Sequence, residues 1–191
     1  MPEQPDDVLS FETPADLRDW LATHYSVASE LWVRIYKKGA GKRSVDWVDC
    51  VVEAIAHGWI DGQKKPLDED SYLQRLTPRK PKSNWSKKNC DHAERLIAEG
   101  RMTAAGQLKI DAAKADGRWK NAYAGSSGME IPQDFLTALE SNPAAKAFFV
   151  TLDRKNLYPI YYRLHTAKRP ETRAKRLKSM LEQLARGERF H

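Results

Sequence analysis

Residues 57–89, HGWIDGQKKPLDEDSYLQRLTPRKPKSNWSKKN, constrain the fold more than any other part of the chain. The stretch begins where one amphipathic helix ends and closes where another begins. Between them lie two short β-like runs joined by the acidic turn Asp68-Glu69-Asp70. Two such runs with a short connection read as antiparallel neighbours. Pro78 and Pro81 then exclude regular structure and bracket Arg79 and Lys80 in a stiff loop.

The flanking sequence agrees with a hairpin set among helices. Thr13-Pro14 offers a cap and a first-turn proline for a helix carrying Leu17, Trp20 and Leu21. Residues 30–38 alternate, with Leu31, Val33 and Ile35 on one side and Trp32, Arg34 and Tyr36 on the other, as a half-buried strand does. Gly39-Ala40-Gly41-Lys42 is a basic loop that lacks the spacing of a phosphate loop. A helix follows over 45–57, with Ser44 as candidate cap and a stripe of Val45, Val48, Val51, Val52, Ile55 and Ala56. Gly58 is placed to stop it. Ser83 or Asn84 is the expected cap of a helix over 85–99, and Thr103 of the next, which ends at Gly117.

The fold class expected is α+β. A small, mainly antiparallel sheet of segments 30–38, 59–67 and 71–78 packs with helices, and an all-helical C-terminal segment follows. The expected division is a flexible tail over 1–10, a body over 11–120, a linker over 121–131 and a basic helical segment over 132–191. A chain of 191 residues with six tryptophans can build such a core. No apolar run approaches a membrane span. The first residues, MPEQPDDVLSFETP, lack the basic and apolar regions of an export signal, so the expected location is the cytoplasm. Two cysteines, Cys50 and Cys90, make neither a disulfide framework nor a zinc site, and Cys50 reads as a small core thiol. Neither a cofactor nor a metal is expected.

Charge is unevenly spread. Residues 1–31 hold seven acids and one base, whereas residues 154–191 hold eleven bases and three acids. A segment of that kind attracts an anionic partner, whether an acidic protein, a membrane surface or weakly bound nucleic acid, or simply solvates a helix face.

The central stretch is the candidate site. Trp59, Asp61, Arg75, Thr77, Arg79, Ser83, Trp85, Ser86 and Asn89 combine polar reach with little helical periodicity. In an extended strand, positions 75, 77 and 79 point the same way. Two guanidiniums flanking a hydroxyl suit a carboxylate or phosphate. Ser83 and Ser86 add hydroxyls at a helix N-terminus, Trp59 and Trp85 flat walls, and Asp61 an acceptor. Each also has a structural reading. Arg75 and Asp61 fit an ion pair, the serines fit caps, and the tryptophans fit the core. A serine nucleophile working with His57 or His92 matches no known spacing, so catalytic residues are unknown.

GWIDG at 58–62, YLQRLTPR at 72–79, SNWSKKN at 83–89, GRMT at 100–103 and AKRPETR at 167–173 together resemble the YdeI/OmpD-associated family. The motifs stand in the family's order and run through nearly the whole chain. The family is labelled for bacteriocin protection and porin association, which implies an envelope role. This chain departs there, since it shows no export signal. The resemblance thus implies a shared fold and central motif more firmly than the named role, and it brings no established catalytic residues. Three functions remain: a module binding a small anionic ligand at 59–89, an interaction protein using residues 154–189, and an enzyme acting on an anionic substrate.

Overall fold

The structure is a computed structural model that describes residues 8–190. The chain divides into two compact units, Met1–Asn121 and Ala122–His191.

The first unit is built in the order β1 (Val8–Leu9), α1 (Pro14–His24), β2 (Leu31–Tyr36), α2 (Trp47–Ala56), β3 (Trp59–Pro66), β4 (Ser71–Pro78), α3 (Lys87–Ala98) and α4 (Ala104–Ala115). Its four strands form one sheet in the order β1-β2-β4-β3. The three pairs divide into β2–β4 and β3–β4, which are antiparallel, and β1–β2, which is parallel. The mainly antiparallel sheet expected from the sequence is therefore present, with β1 added. Val8 and Leu9, expected in the tail, pair with Trp32 and Val33 instead. Residues 1–7 of that tail lie outside the described residues.

Alternation in β2 sorts the two faces. Leu31, Val33 and Ile35 join Leu17 and Leu21 of α1, Cys50 and Ala54 of α2, Trp59 and Leu76 in the core. Burying each large aliphatic side chain there contributes about 1.5–3 kcal/mol. Trp32, Arg34 and Tyr36 take the other face, opposite Arg75, Leu73 and Ser71 of β4.

Caps decide where the helices begin. Thr13 forms a reciprocal capping box with Asp16, as its position before Pro14 suggested. At α2 the cap is Asp46, not Ser44. The Ser44 hydroxyl is committed elsewhere, accepting from the Tyr36 N–H at 2.9 Å and donating to the Val45 carbonyl at 3.0 Å. Val48, placed in the buried stripe by its spacing, is exposed, while Val51, Val52 and Ile55 are buried. Gly58 closes α2 at φ 74°, a conformation that costs glycine nothing. Of the two helices expected on the sheet, α2 packs there and α3 packs mainly on α2. Helix α4 also meets α2, at Gly106. A Cβ at that position would stand 2.4 Å from the Ala56 carbonyl oxygen, so no larger residue fits.

The second unit is helical through its described residues beyond 132: α5 (Gln133–Glu140), α6 (Pro143–Phe149), α7 (Arg154–His165) and α8 (Pro170–Ala185). Phe135, Leu139, Ala145, Ile160, Leu164, Met180 and Leu184 make its core. Part of the segment expected as a linker is tied to α7. The Tyr161 hydroxyl accepts the Ala124 N–H at 2.7 Å, and the Arg154 Nε donates to the Ser126 carbonyl at 2.6 Å.

Candidate functional site

The 59–89 stretch supplies the β3–β4 hairpin and the elbow that leads into α3. Its nine candidate residues do not converge on one cleft, and physical reasons separate them.

Trp59 opens β3 on the inner face. It is 1% exposed, its indole N–H donates to the Tyr25 carbonyl at 3.1 Å, and its ring meets Trp20 edge-on. It is a core residue. Asp61 accepts from the Trp47 indole at 3.2 Å, so the expected Asp61–Arg75 ion pair does not form. Asp61 lies opposite Leu76, whose side chain points to the core, whereas Arg75 projects to the outer face. Thr77 is half-buried opposite Ile60.

Arg79 departs most from expectation. It follows the end of β4, where its N–H donates to the Gly58 carbonyl at 3.0 Å. Its guanidinium is not turned to solvent. The residue is 2% exposed, lies 3.9 Å above the Trp85 ring and donates to the Asn84 carbonyl at 2.9 Å. Strand alternation ends at Pro78, so the reasoning that put Arg75, Thr77 and Arg79 on one open face fails at its third member. Trp85 is itself 2% exposed and packs on Trp119 at 5.0 Å. Arg118 holds the same elbow through the Ser83 carbonyl at 2.8 Å. With Ser83 and Asn84 held in this way, Ser86 becomes the cap of α3, its hydroxyl accepting the Asn89 N–H at 3.1 Å.

Among the described residues no serine hydroxyl hydrogen-bonds either histidine considered as a base. His57 Nδ1 lies 3.0 Å from the Glu53 carbonyl oxygen. His92 Nε2 is buried with no hydrogen-bond partner among the described residues. Among those residues no group of three or more His, Cys, Asp or Glu is placed to hold a metal ion.

Arg75 is different from Arg79. Its side chain is 40% exposed on the outer face of the sheet and pairs with Glu30 through both Nε and Nη2, the Nε contact being 2.8 Å. Glu30 also accepts from the Trp32 indole at 3.1 Å. The Arg75 hydrogen bonds hold the Glu30 carboxyl below its ordinary value, with help from Trp32 and the nearby Lys65 charge. Two cations flank the Trp32 ring, Lys65 at 4.7 Å and Arg75 at 6.0 Å from its centroid. Further along β2, Arg34 at 4.7 Å and Lys42 at 5.4 Å do the same for Tyr36. Arg34 also donates to Ser71 at 3.0 Å and to Asp68 at 2.6 Å. The outer face is thus a row of aromatic rings under long cationic side chains, answered there by Glu30 and Asp68.

This cationic row was missed as a site in the sequence, although the signal was present. Trp32-Arg34-Tyr36 is the half of an alternating strand that opposes the core, and Lys65 and Arg75 fall across from it only once the register is known.

An α+β body with a cation-bearing sheet face and a helical second unit is the class that fold and site define. Residues 9–109, more than half of the chain, match a family described as Domain of unknown function (DUF8412), and the chain belongs to that family. Residues 128–187 match a second family, described as Bacteriocin-protection, YdeI or OmpD-Associated, which bears out the resemblance carried by the motifs. The motifs between 58 and 103 lie inside the first match, and AKRPETR at 167–173 inside the second. No curated protein and no solved structure matches the chain. No described helix is long and apolar enough to cross a membrane.

Proposed function

We infer that the first unit binds a small anionic ligand, and that the 59–89 stretch enters the site through Lys65 and Arg75 on the outer face of the sheet. The observation that carries this reading is the cation–aromatic row itself. Arg34, Lys65 and Arg75 lie close to Trp32 or Tyr36, and two carboxylates, Glu30 and Asp68, pair with its arginines. Stacking on the rings holds the cations extended, so an incoming carboxylate or phosphate meets donors whose side-chain entropy is already spent. Of the other candidate residues, Arg79, Ser83, Trp85, Ser86 and Asn89 shape the elbow after β4, and Trp59 anchors β3.

The test is the melting temperature of the full chain with a panel of phosphorylated and carboxylated metabolites, repeated for Arg75→Ala and Lys65→Ala. A metabolite that raises the wild-type value and loses most of its effect in both variants supports the reading. A panel that shifts nothing at low salt sinks it.

Anion binding by residues 154–189 is the second reading. Its support is that Lys168, Arg169 and Lys175 are exposed and make no ion pair among the described residues, whereas Arg173 pairs with Asp134 and Arg186 with Glu188. Weak, sequence-blind retention on a DNA column that falls steeply with salt is the expected behaviour. Retention that ignores salt counts against it.

A further inference from the structure

A groove of about 580 Å³ opens where the β2–α2 loop passes the start of α1, and none of the nine candidate residues lines it. Its volume lies in the range of small-molecule sites. Its lining carries both signs of charge. The β2–α2 loop contributes Lys38, Lys42, Arg43 and, at its end, Asp46, and the residues before α1 contribute Glu12.

These groups are largely uncommitted. Lys38 and Arg43 form no ion pair or hydrogen bond among the described residues, and Lys42 is engaged only with the Tyr36 ring at 5.4 Å. Lys37, by contrast, donates to the Glu69 carbonyl at 2.9 Å and braces the loop. Glu12 likewise has no hydrogen-bond partner among the described residues. Asp46 gives one oxygen to the Asp49 N–H at 2.9 Å as a helix cap, which leaves the other available. Gly39 and Gly41 hold the loop at φ 94° and 69°, and a Cβ built on either meets nothing within 4 Å. Glycine is used there for the turn and leaves the groove unfilled.

The mixed lining chooses a ligand. A guanidinium and two ammonium groups suit a phosphate, the arginine as a two-pronged donor and the lysines as point charges. The two carboxylates in the same lining repel a bare anion but accept from hydroxyls. We propose that this groove binds a phosphate monoester of a polyhydroxylated small molecule, the phosphate lying against Lys38, Lys42 and Arg43 and the hydroxyls against Glu12 and Asp46. The groove shares Tyr36 and Lys42 with one end of the cation row, but Arg34, Lys65 and Arg75 do not line it, and the proposal does not rest on ligand binding at Arg75.

The experiment is calorimetric titration of the full chain at low ionic strength, since exposed charges are screened at higher salt. The probes are ribose 5-phosphate, ribose, inorganic phosphate and adenosine 5′-monophosphate. Ribose 5-phosphate should saturate one site at least tenfold more tightly than inorganic phosphate, and ribose should give no saturable heat. Arg43→Ala should weaken binding roughly tenfold or more, the usual scale for losing a charge-assisted contact, with an unchanged melting temperature. Glu12→Gln should weaken it a few-fold, and Arg75→Ala should leave it as it is. Adenosine 5′-monophosphate binding as tightly as ribose 5-phosphate supports a nucleotide as the source, and its exclusion supports a free sugar phosphate. Inorganic phosphate binding as well as ribose 5-phosphate overturns the proposal, as does the absence of saturable binding. Binding lost in Arg75→Ala but kept in Arg43→Ala also overturns it, and places the anion on the sheet face instead.

Discussion

On the outer face of the sheet and in the elbow after β4, an arginine meets a tryptophan, with opposite consequences. Arg75 is 40% exposed by its side chain, lies 6.0 Å from the Trp32 ring and pairs with a half-exposed carboxylate. Arg79 is 2% exposed, lies 3.9 Å above Trp85 and donates to a backbone carbonyl. Four residues apart, they use one kind of contact in two dielectrics. Water around Arg75 weakens every attraction and makes its removal cheap. Around Arg79 there is little water, and its loss leaves the Asn84 carbonyl without that donor and a void above the indole. The same contrast divides the acids. Glu30 is exposed on the face, while Glu53, 1% exposed, is held between Arg18 and Arg101.

Arg79→Ala tests this contrast most severely. It should destabilise the fold by about 3 kcal/mol, a fall of roughly 6–12 °C in melting temperature for a chain of this size. Arg79→Lys should recover only part of the loss, because an ammonium does not reproduce the planar stack. A variant that melts like the wild type would erase the distinction between the two arginines.

Glu53→Gln comes next, at about 2 kcal/mol, since it removes the buried charge that two partly exposed arginines share. Glu30→Gln should cost about 0.5 kcal/mol. Equal losses from the two substitutions would show that burial does not set the scale here.

Thiol chemistry reads the elbow independently. Burial raises Cys50 strongly and pushes Cys90 up to about 11, with Glu94 and Asp91 adding to it and the Arg79 charge opposing. Neither thiol should react with an aromatic disulfide reagent at pH 8 unless the structure opens. In Arg79→Ala, Cys90 should label roughly 100-fold faster, the factor that corresponds to the expected loss of stability. Rapid labelling of the wild-type protein would contradict the burial of this region.

The smallest effect belongs to Arg75→Ala, within about 0.5 kcal/mol at neutral pH. Its signature is a pH dependence. Arg75 lowers the Glu30 value from the ordinary 4.5, so the stability from that pair is complete above about 4.5 and is lost as pH falls through the lower folded value. Arg75→Ala should therefore differ from the wild type less in acid than at neutral pH. A gap that widens in acid would reverse the assignment.

Much of the frame could be read from periodicity. The stripe of α2 apart from Val48, the alternation of β2, the Thr13 cap and the stop at Gly58 each follow from local chemistry, and the structure keeps them. What could not be read depends on partners distant in sequence. Two residues of β1 carry too little pattern to register as a strand, yet β2 supplies them a neighbour. Ser44 is a reasonable cap by type, and only the approach of the Tyr36 N–H removes it. At Arg79 the strand pattern no longer holds, because β4 ends at Pro78. No local signal says that Trp85 will fold back over it. Lys65 and Trp32, 33 positions apart, become neighbours through β4, which stands between their strands.

The strand order has a consequence for how these molecules behave at high concentration. Both margins of the sheet are poor templates for another strand. On one side lies β1, two residues long among the described residues. On the other lies β3, interrupted by a bulge between Asp61 and Lys64 and ending in Lys64-Lys65-Pro66. A short strand, a bulge, adjacent positive charges and a proline each block the edge-to-edge zippering that leads from native sheets to fibrils. Concentrated solutions of the folded protein should consequently stay free of cross-β material, and any aggregation that occurs should begin from unfolded chains.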